Sequence, residues 1–466
     1  MPEHTIAENL QRLIDAKTAI GSAITAKGGT VSVGDGLEEF AADIATIPSG
    51  GGGSQPRKDV NFYDYDGTIV NSYTAAEFAN LSELPANPTH EGLIAQGWNW
   101  SLADAKEYVA ENNRLDIGQM YVTSDGKTRI YITLTEGRIS PILQLYLNAN
   151  SELDIDWGDG GAHSTFTSTS DEYKSERHNY ASAGDYVIAI TVTTGSFILL
   201  SSSTTVSSIL WNGNNSASSP DRAYNNSIQK IEIGTDVDSI SSNAFQSCYS
   251  LMSITIPDSV VIISSNAFQS CYSLMSITIP DSVTNIGKNA FNSCSSLASI
   301  TIPDSVTSIG SNAFVACYSL ASITIPDSVV TINSNIFAAC SSLASITIPD
   351  SVVTISSDVF SGCPSLASIT IPDSVTSIGS GAFVACYSLA SITIPDSVTS
   401  IGSVAFQSCL YMESIKFTST TPPAVGSNAW TGVKTSCIIY VPTGTLETYK
   451  ATSNYPNPST YTYVEY

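Results

Sequence analysis

Apolar positions between residues 228 and 417 recur with a step of 23. In the unit beginning at Ser296, Leu297, Ile300 and Ile302 are set among small polar residues, Val306 and Ile309 follow, and Ala313, Phe314 and Cys317 close the unit. Phenylalanine returns at 245, 268, 291, 314, 337, 360, 383 and 406, and cysteine at 248, 271, 294, 317, 340, 363, 386 and 409. The stretch SLASITIPDSVTSIGSNAFVACY recurs from Ser365 with one change, Gly381 standing where Asn312 stood. The alternation of Ile300, Thr301 and Ile302 predicts a short strand. Pro303 has no amide to donate and ends it. Asp304 and Ser305 suit a turn, and the spacing of Ala313, Phe314 and Cys317 predicts one short helical turn aimed inward.

One such unit cannot bury its apolar side, whereas stacked copies cover one another. Coils set at the spacing of parallel strands, one for each of the eight regularly spaced cysteines, build a rod or arc roughly 40 Å long. The cysteines keep register with interior phenylalanines and are read as small apolar residues. The four histidines, at 4, 90, 163 and 178, all lie outside the array, so no metal ladder is expected. Strand positions directed away from the core carry Thr255, Thr278, Thr301, Thr324, Thr347, Thr370 and Thr393, each two residues after a serine. Tyr249, Tyr272, Tyr318 and Tyr387 stand just after a cysteine. These threonines and tyrosines are the candidate receptor-binding residues. Hydroxyls can hydrogen-bond sugars, and an exposed tyrosine is rigid and amphipathic.

The L-x-x-I-x-I-P pattern, SVTSIG, AFxxC and the 23-residue step resemble the BspA-like class of leucine-rich repeats. SCIIYVPTGTLETYK, residues 436–450, is similar to the terminal cap of such arrays. The resemblance implies a leucine-rich-repeat solenoid over 228–417, a C-terminal cap over 418–466 and a role in adhesion. Pro-Asp follows the strand where many leucine-rich repeats place Asn.

Upstream, Ile6, Leu10, Leu13, Lys17, Ile20 and Ile24 are separated by alternating steps of four and three, and all but the lysine are apolar. That heptad seam predicts an N-terminal coiled-coil helix and a parallel homo-oligomer, a trimer in the preferred reading; packing of the same helix on its own domain is the alternative. Residues 1–49 form this oligomerisation and attachment segment, and 50–58 a Gly/Ser linker. The opening NLQRLIDAKTAIGSAITAKGGTVSVGDGLEEFAADIATIP resembles N-terminal segments of tail proteins from phages of Gram-positive gut bacteria. Residues 59–139 are assigned to a small α+β module. Its string DYDGT resembles the nucleophile motif of haloacid-dehalogenase-type phosphatases. That resemblance implies Asp64 as nucleophile and Asp66 as acid/base, with Mg²⁺. The chain then turns β-rich instead of alternating strands with helices, so a turn around Gly67 is preferred.

ELDIDWGDGG followed by RHNYASAGDYVIAITV resembles a PKD-like β-sandwich over 140–200, a type used as spacer or adhesive module. Asp154, Asp156 and Asp159 are its Ca²⁺ candidates, with acidic turn residues as the competing reading. Residues 201–227 are assigned to the N-terminal cap of the solenoid. The fold class expected is thus mainly β and multidomain: a coiled-coil helix, a small α+β module, a sandwich and a solenoid.

Charge narrows the partners. With 18 basic and 42 acidic residues the chain carries −24, and residues 231–409 hold eleven acids against the single base Lys288. Such an anion repels nucleic-acid backbones and anionic lipid surfaces, and no apolar run reaches transmembrane length. No cofactor is implied, and no catalytic triad, P-loop or zinc spacing is present, so a non-enzymatic protein is expected. The preferred reading is a phage tail fibre or tail-tip protein in the virion. It would join other tail proteins through its N-terminus and bind a bacterial cell-surface glycan or protein through the solenoid. A cellular surface adhesin is the alternative, and a phosphatase-like enzyme using Asp64 and Asp66 the third. The start MPEHTIAENLQRL has neither the basic beginning nor the apolar core of a secretory signal, which favours the first.

Overall fold

Short apolar strands separated by tight polar corners give this chain its architecture. A computed structural model describes residues 58–466 except 65–68, 91–92, 99–101, 113–114, 124, 200–209 and 212–224. The heptad positions Ile6, Leu10, Leu13, Lys17, Ile20 and Ile24, and also Asp66, lie outside the described residues.

The first described unit has a four-stranded sheet in the order β2-β1-β4-β3. Its strands are β1 (Val60–Tyr63), β2 (Ile69–Tyr73), β3 (Leu93–Trp98) and β4 (Leu115–Thr123), with helices α1 (Ala75–Ala79) and α2 (Leu102–Asn112). Strands β1 and β4 are parallel, and the other pairs antiparallel. Helix α1 starts at a capping box: Glu77 N–H donates to Thr74 Oγ1 at 3.2 Å, and Thr74 N–H donates to Glu77 Oε2 at 2.8 Å. This reciprocal bonding, with Lys58 2.9 Å away, pulls the Glu77 carboxyl down to about 2. Val60, Phe62, Phe78, Trp98, Ala105, Val109, Leu115 and Ile117 form a core of their own.

Strands β5 (Thr128–Leu134), β6 (Ile142–Leu147), β7 (Glu152–Asp156), β8 (Ser164–Thr167), β9 (Glu172–Arg177), β10 (Gly184–Thr194), β11 (Phe197–Leu199) and β12 (Leu210–Trp211) follow. They fall into two sheets whose apolar sides share one interior around Trp157, Phe166 and Phe197. Both sheets continue into the repeats. Strand β13 (Ile228–Glu232) pairs antiparallel with β5 on one side and parallel with Ser253–Thr255 on the other. Strand β14 (Val237–Ile240) pairs with β11 and then with Ile262–Ile263. The interior of the paired sheets and that of the repeats are a single apolar cluster.

Each coil of the solenoid has three sides. The first is the Ser-Ile-Thr strand predicted from the alternation; Ser276–Thr278, Ser299–Thr301, Ser322–Thr324 and Ser345–Thr347 make one parallel ladder in 23-residue register. The second is a two-residue strand such as Ser308–Ile309. The third carries Ala313, Phe314 and Cys317, all fully buried as the spacing required. The backbone there is not helical. Two left-handed residues per coil, Asn312 (φ 61°) and Ala316 (φ 57°), fold it into consecutive turns. Its free amides reach the next coil: Phe314 N–H donates to Ile336 O at 2.9 Å and Ala316 N–H to Ala338 O at 2.9 Å. Stacking of coils, which a helical turn would not hydrogen-bond, wins over the helical reading.

The corners explain the repeated polar letters. Left-handed backbone costs a side chain about 1–2 kcal/mol, least for Gly and Asn. Asn243, Asn266, Asn289, Asn312 and Asn335 hold this place in successive coils, and Gly381 takes it in the near-identical copy. Asn266 Nδ2 donates to Asn243 Oδ1, and Asn289 Nδ2 to Asn266 Oδ1, each at 2.9 Å. An asparagine ladder therefore exists, at a corner instead of after the strand. The serine after each Asp also links coils: Ser282 Oγ donates to Val260 O at 2.6 Å and Ser305 Oγ to Val283 O at 2.7 Å.

Inside, the phenylalanines stack from Phe245 to Phe406, and Trp430 closes the column 4.9 Å from Phe406 with rings 1° apart. The C-terminal end is sealed by Ile438–Val441 and Thr462–Glu465, which extend a second parallel ladder begun by Ser391–Ile394 and Ser414–Phe417, and by helix α3 (Leu446–Ala451) with buried Tyr449.

Candidate functional site

The Ser-x-Thr positions of the first ladder form the face expected to meet a partner, because their strand alternation puts isoleucine inside and hydroxyls outside. The face is only partly open. Strand β4 lies over the strands Ser253–Thr255, Ser276–Thr278 and Ser299–Thr301. Ser253, Thr255, Ser276, Ser299 and Thr301 are buried beneath it, and Thr278 is half-buried. Thr255, Thr278 and Thr301 are thereby removed from the solvent-facing set predicted from the sequence, and Thr324 is half-buried. From Ser345 onward the face is exposed: Ser345, Thr347, Ser368, Thr370, Ser391 and Thr393 all meet solvent.

The seam is polar and close. Thr278 Oγ1 donates to the main-chain carbonyl of Gln119 at 3.1 Å. Gly118 allows that approach, since a Cβ there would stand 2.7 Å from Thr278 Oγ1. Among the described residues Thr255 Oγ1 and Ser276 Oγ are buried without a hydrogen-bond partner, and each such orphan costs about 1–3 kcal/mol. A water-sized space of about 10 Å³ remains between Tyr63, Asp64, Ile117 and Gly118 on one side and Ser276, Thr278, Ser299 and Thr301 on the other. Asp64, the residue singled out by the DYDGT string, faces this space. Its carboxylate accepts from Tyr121 Oη at 2.9 Å and lies 2.7 Å from His90 Nε2.

The tyrosines form a second candidate surface. Tyr249, Tyr272, Tyr318 and Tyr387 are all exposed. Tyr249 and Tyr272 stack at 4.9 Å with rings 5° apart. Met252 and Met275, in the same two coils, are exposed as well, which the sequence reading did not single out.

The three acidic Ca²⁺ candidates are not gathered into one site. Asp154 lies 2.9 Å from His163 Nδ1, and Asp156 3.7 Å from its Nε2. Asp159 instead pairs with His178 Nε2 at 2.8 Å and accepts from Gly161 N–H, which together hold its carboxyl below the usual range. His178 in turn stacks on Trp157 at 4.5 Å. Among the described residues no group of three or more His, Cys, Asp or Glu is arranged to hold a metal ion. No described helix is long and apolar enough to cross a membrane.

Comparison with known proteins agrees with the repeat geometry. Residues 220–343 and 309–435 match the BspA type leucine rich repeat region, in six copies. Among solved structures, a leucine-rich repeat protein from Bacteroides ovatus is 29% identical, with a TM-score of 0.42, over 56% of this chain and 61% of its own. A leucine rich cell surface protein from Faecalibacterium prausnitzii is 33% identical, with a TM-score of 0.32, over 41% of this chain and 60% of its own. The chain thus spans less than two thirds of either. The leucine-rich repeat protein of T. pallidum is 34% identical, with a TM-score of 0.32, over 37% of this chain and 85% of its own. No curated protein matches the chain. Its 23-residue coils, buried Phe and Cys columns and Ser-Ile-Thr ladder place it, through residues 220–435, in the BspA-type leucine-rich repeat family.

Proposed function

We propose that this chain is a surface-binding protein, and specifically a phage tail fibre or tail-tip protein that attaches to a bacterial surface through its solenoid. The observation that carries the binding role is the exposed hydroxyl face from Ser345 to Thr393, whose first coil ends one parallel ladder and whose last begins another. Its hydroxyls supply donors and acceptors at each coil, and the tyrosine edge adds amphipathic contact area. The tail assignment is supported by the heptad seam at Ile6–Ile24 and by the likeness of the N-terminal segment to phage tail proteins; in this reading residues 1–49 trimerise and join other tail proteins.

Co-sedimentation of the purified chain with intact bacterial cells tests the binding role. Wild-type protein should pellet with a susceptible strain, and Thr370→Lys combined with Thr393→Lys should abolish pelleting while leaving the melting curve unchanged. Equal pelleting of both proteins would remove the hydroxyl face from the account. Immunogold labelling separates the settings: gold on virion tails supports the phage reading, whereas gold on the producing cell's own surface replaces it with the adhesin reading.

A further inference from the structure

Strand β4 is already a ligand for part of the hydroxyl face, and the rest of that face repeats the same chemistry. We infer that the exposed face from Ser345 to Thr393 takes an extended polypeptide segment of a partner, laid on it as β4 is laid on the preceding coils, with a glycine opposite a threonine. The inference deepens the proposed binding role by naming the partner as protein.

Three observations carry it. First, the interface is established within the chain: β4 sits on Ser253–Thr255, Ser276–Thr278 and Ser299–Thr301, and the open Ser-Ile-Thr positions follow at the same 23-residue step, Ser345–Thr347 in the ladder of Ser276–Thr278 and Ser391–Thr393 in a second ladder beyond it. Ser391-Ile392-Thr393 has the same three residues as Ser276-Ile277-Thr278, so the open coils present what the covered ones present. Second, the hydroxyl face can hold a strand by its main chain. Thr278 Oγ1 donates to the Gln119 carbonyl, and any polypeptide offers such carbonyls at regular spacing. Third, the seam selects for a small residue. Gly118 stands where a Cβ would come within 2.7 Å of Thr278 Oγ1, so a partner strand with bulk at that position would be held off the hydroxyls. Ser368, Thr370, Ser391 and Thr393 are themselves uncharged, and Lys416 stands in register beside Thr393 on the next strand, which suits main-chain carbonyls better than a strongly basic ligand.

The test uses the full chain and a fluorescently labelled synthetic peptide with the β4 sequence LDIGQMYVT, followed by anisotropy. Saturable binding is expected. Thr370→Val combined with Thr393→Val, which keeps side-chain shape and strand propensity but removes both donors, should weaken it at least tenfold. A peptide with valine in place of glycine, LDIVQMYVT, should bind at least tenfold more weakly to the unmodified chain. Binding that is indifferent to the double Val variant would mean that the peptide displaces β4 from its own seat, and would overturn the inference. Failure of LDIGQMYVT to bind while the chain still sediments with bacterial cells would overturn it too and leave the proposed function standing. In that case competition of cell binding by neutral oligosaccharides would assign the face to glycan instead. Loss of both activities would count against the two readings together.

Discussion

The thiol of Cys271 donates to the main-chain carbonyl of Phe245, 3.2 Å away and one coil back. The same carbonyl accepts from the Cys248 amide within its own coil, so Cys271 fills its second lone pair. The contact recurs at Cys294, Cys317, Cys340, Cys363, Cys386 and Cys409. The cysteines are therefore more than apolar filler, because each links its coil to the one before.

Burial pushes these thiols up: Cys363 and Cys409 to about 12, and Cys437 to about 11, from 9.0. Between those values the folded chain holds protons that the unfolded chain has released. The thiols' contribution to stability is then constant below about pH 9 and falls as pH rises through that window. Urea midpoints measured between pH 7 and 11 should stay level and then drop, and native protein should resist iodoacetamide until denatured. Rapid native labelling would place the thiols at the surface.

Val404 is left-handed, with φ 53°, at the corner that Asn, Asp or Gly occupies in the preceding coils. A β-branched residue is strained there. Val404→Asn and Val404→Gly should each stabilise the array by about 1 kcal/mol, the relief expected for a left-handed site. A lower melting temperature for both would mean that the isopropyl group packs better than the backbone suffers.

Phe314 lies between the rings of Phe291 and Phe337 at 5.4 and 5.7 Å. Phe314→Ala should cost about 3–5 kcal/mol as a cavity in a fully buried column. Excision of residues 296–318, one whole coil, should instead leave a shorter solenoid that still melts cooperatively. Calorimetry distinguishes the two, and collapse of the excised chain would contradict nearest-neighbour stacking.

Asp258, Asp281 and Asp304 share one corner in successive coils. Partial burial, then repulsion from the two flanking carboxylates, raises the Asp281 carboxyl above 3.8. Its folded form binds a proton more readily than its unfolded form, so this residue adds stability on acidification through that window and loses it as pH rises back through it. At pH 7 Asp281→Asn should raise the melting temperature and weaken its dependence on salt. An unchanged salt dependence would show the corner to be screened already.

Gly118→Val places bulk against Thr278. The β4 module should lift from the hydroxyl face while the coils remain folded, because its core around Phe62 and Phe78 is separate from theirs. Faster proteolysis within residues 58–123, with an unaltered solenoid fragment, is the expected result. Cleavage at the wild-type rate would mean the seam tolerates the side chain.

The solenoid was legible because a 23-residue period leaves every Leu, Ile, Phe and Cys in one column, and columns of that kind have few ways to be buried. The corners were less so. Asn312 and Ala316 carry the left-handed turns, yet Ala316 has no side chain that announces one, and the spacing of Phe314 and Cys317 fits a helical turn equally well. The covering of half the hydroxyl face was not legible at all. Ser276-Ile277-Thr278 and Ser391-Ile392-Thr393 are the same letters, and what separates them is a strand more than a hundred residues earlier in the chain, whose glycine gives no sign of its destination. The acidic candidates failed for a related reason: His163 and His178, remote from the repeats, turn out to be the groups that Asp154 and Asp159 face.

Ile231 pairs with Ile130 on one flank and Ile254 on the other. The join between the paired sheets and the repeats is thus made of main-chain hydrogen bonds instead of a loop. To swivel there, several of those bonds would have to shear at once. The molecule has no elbow at this point, so whatever grips it near residue 130 also aims its far coils, and tension applied at the tip is carried to the base by a lattice, not by a tether.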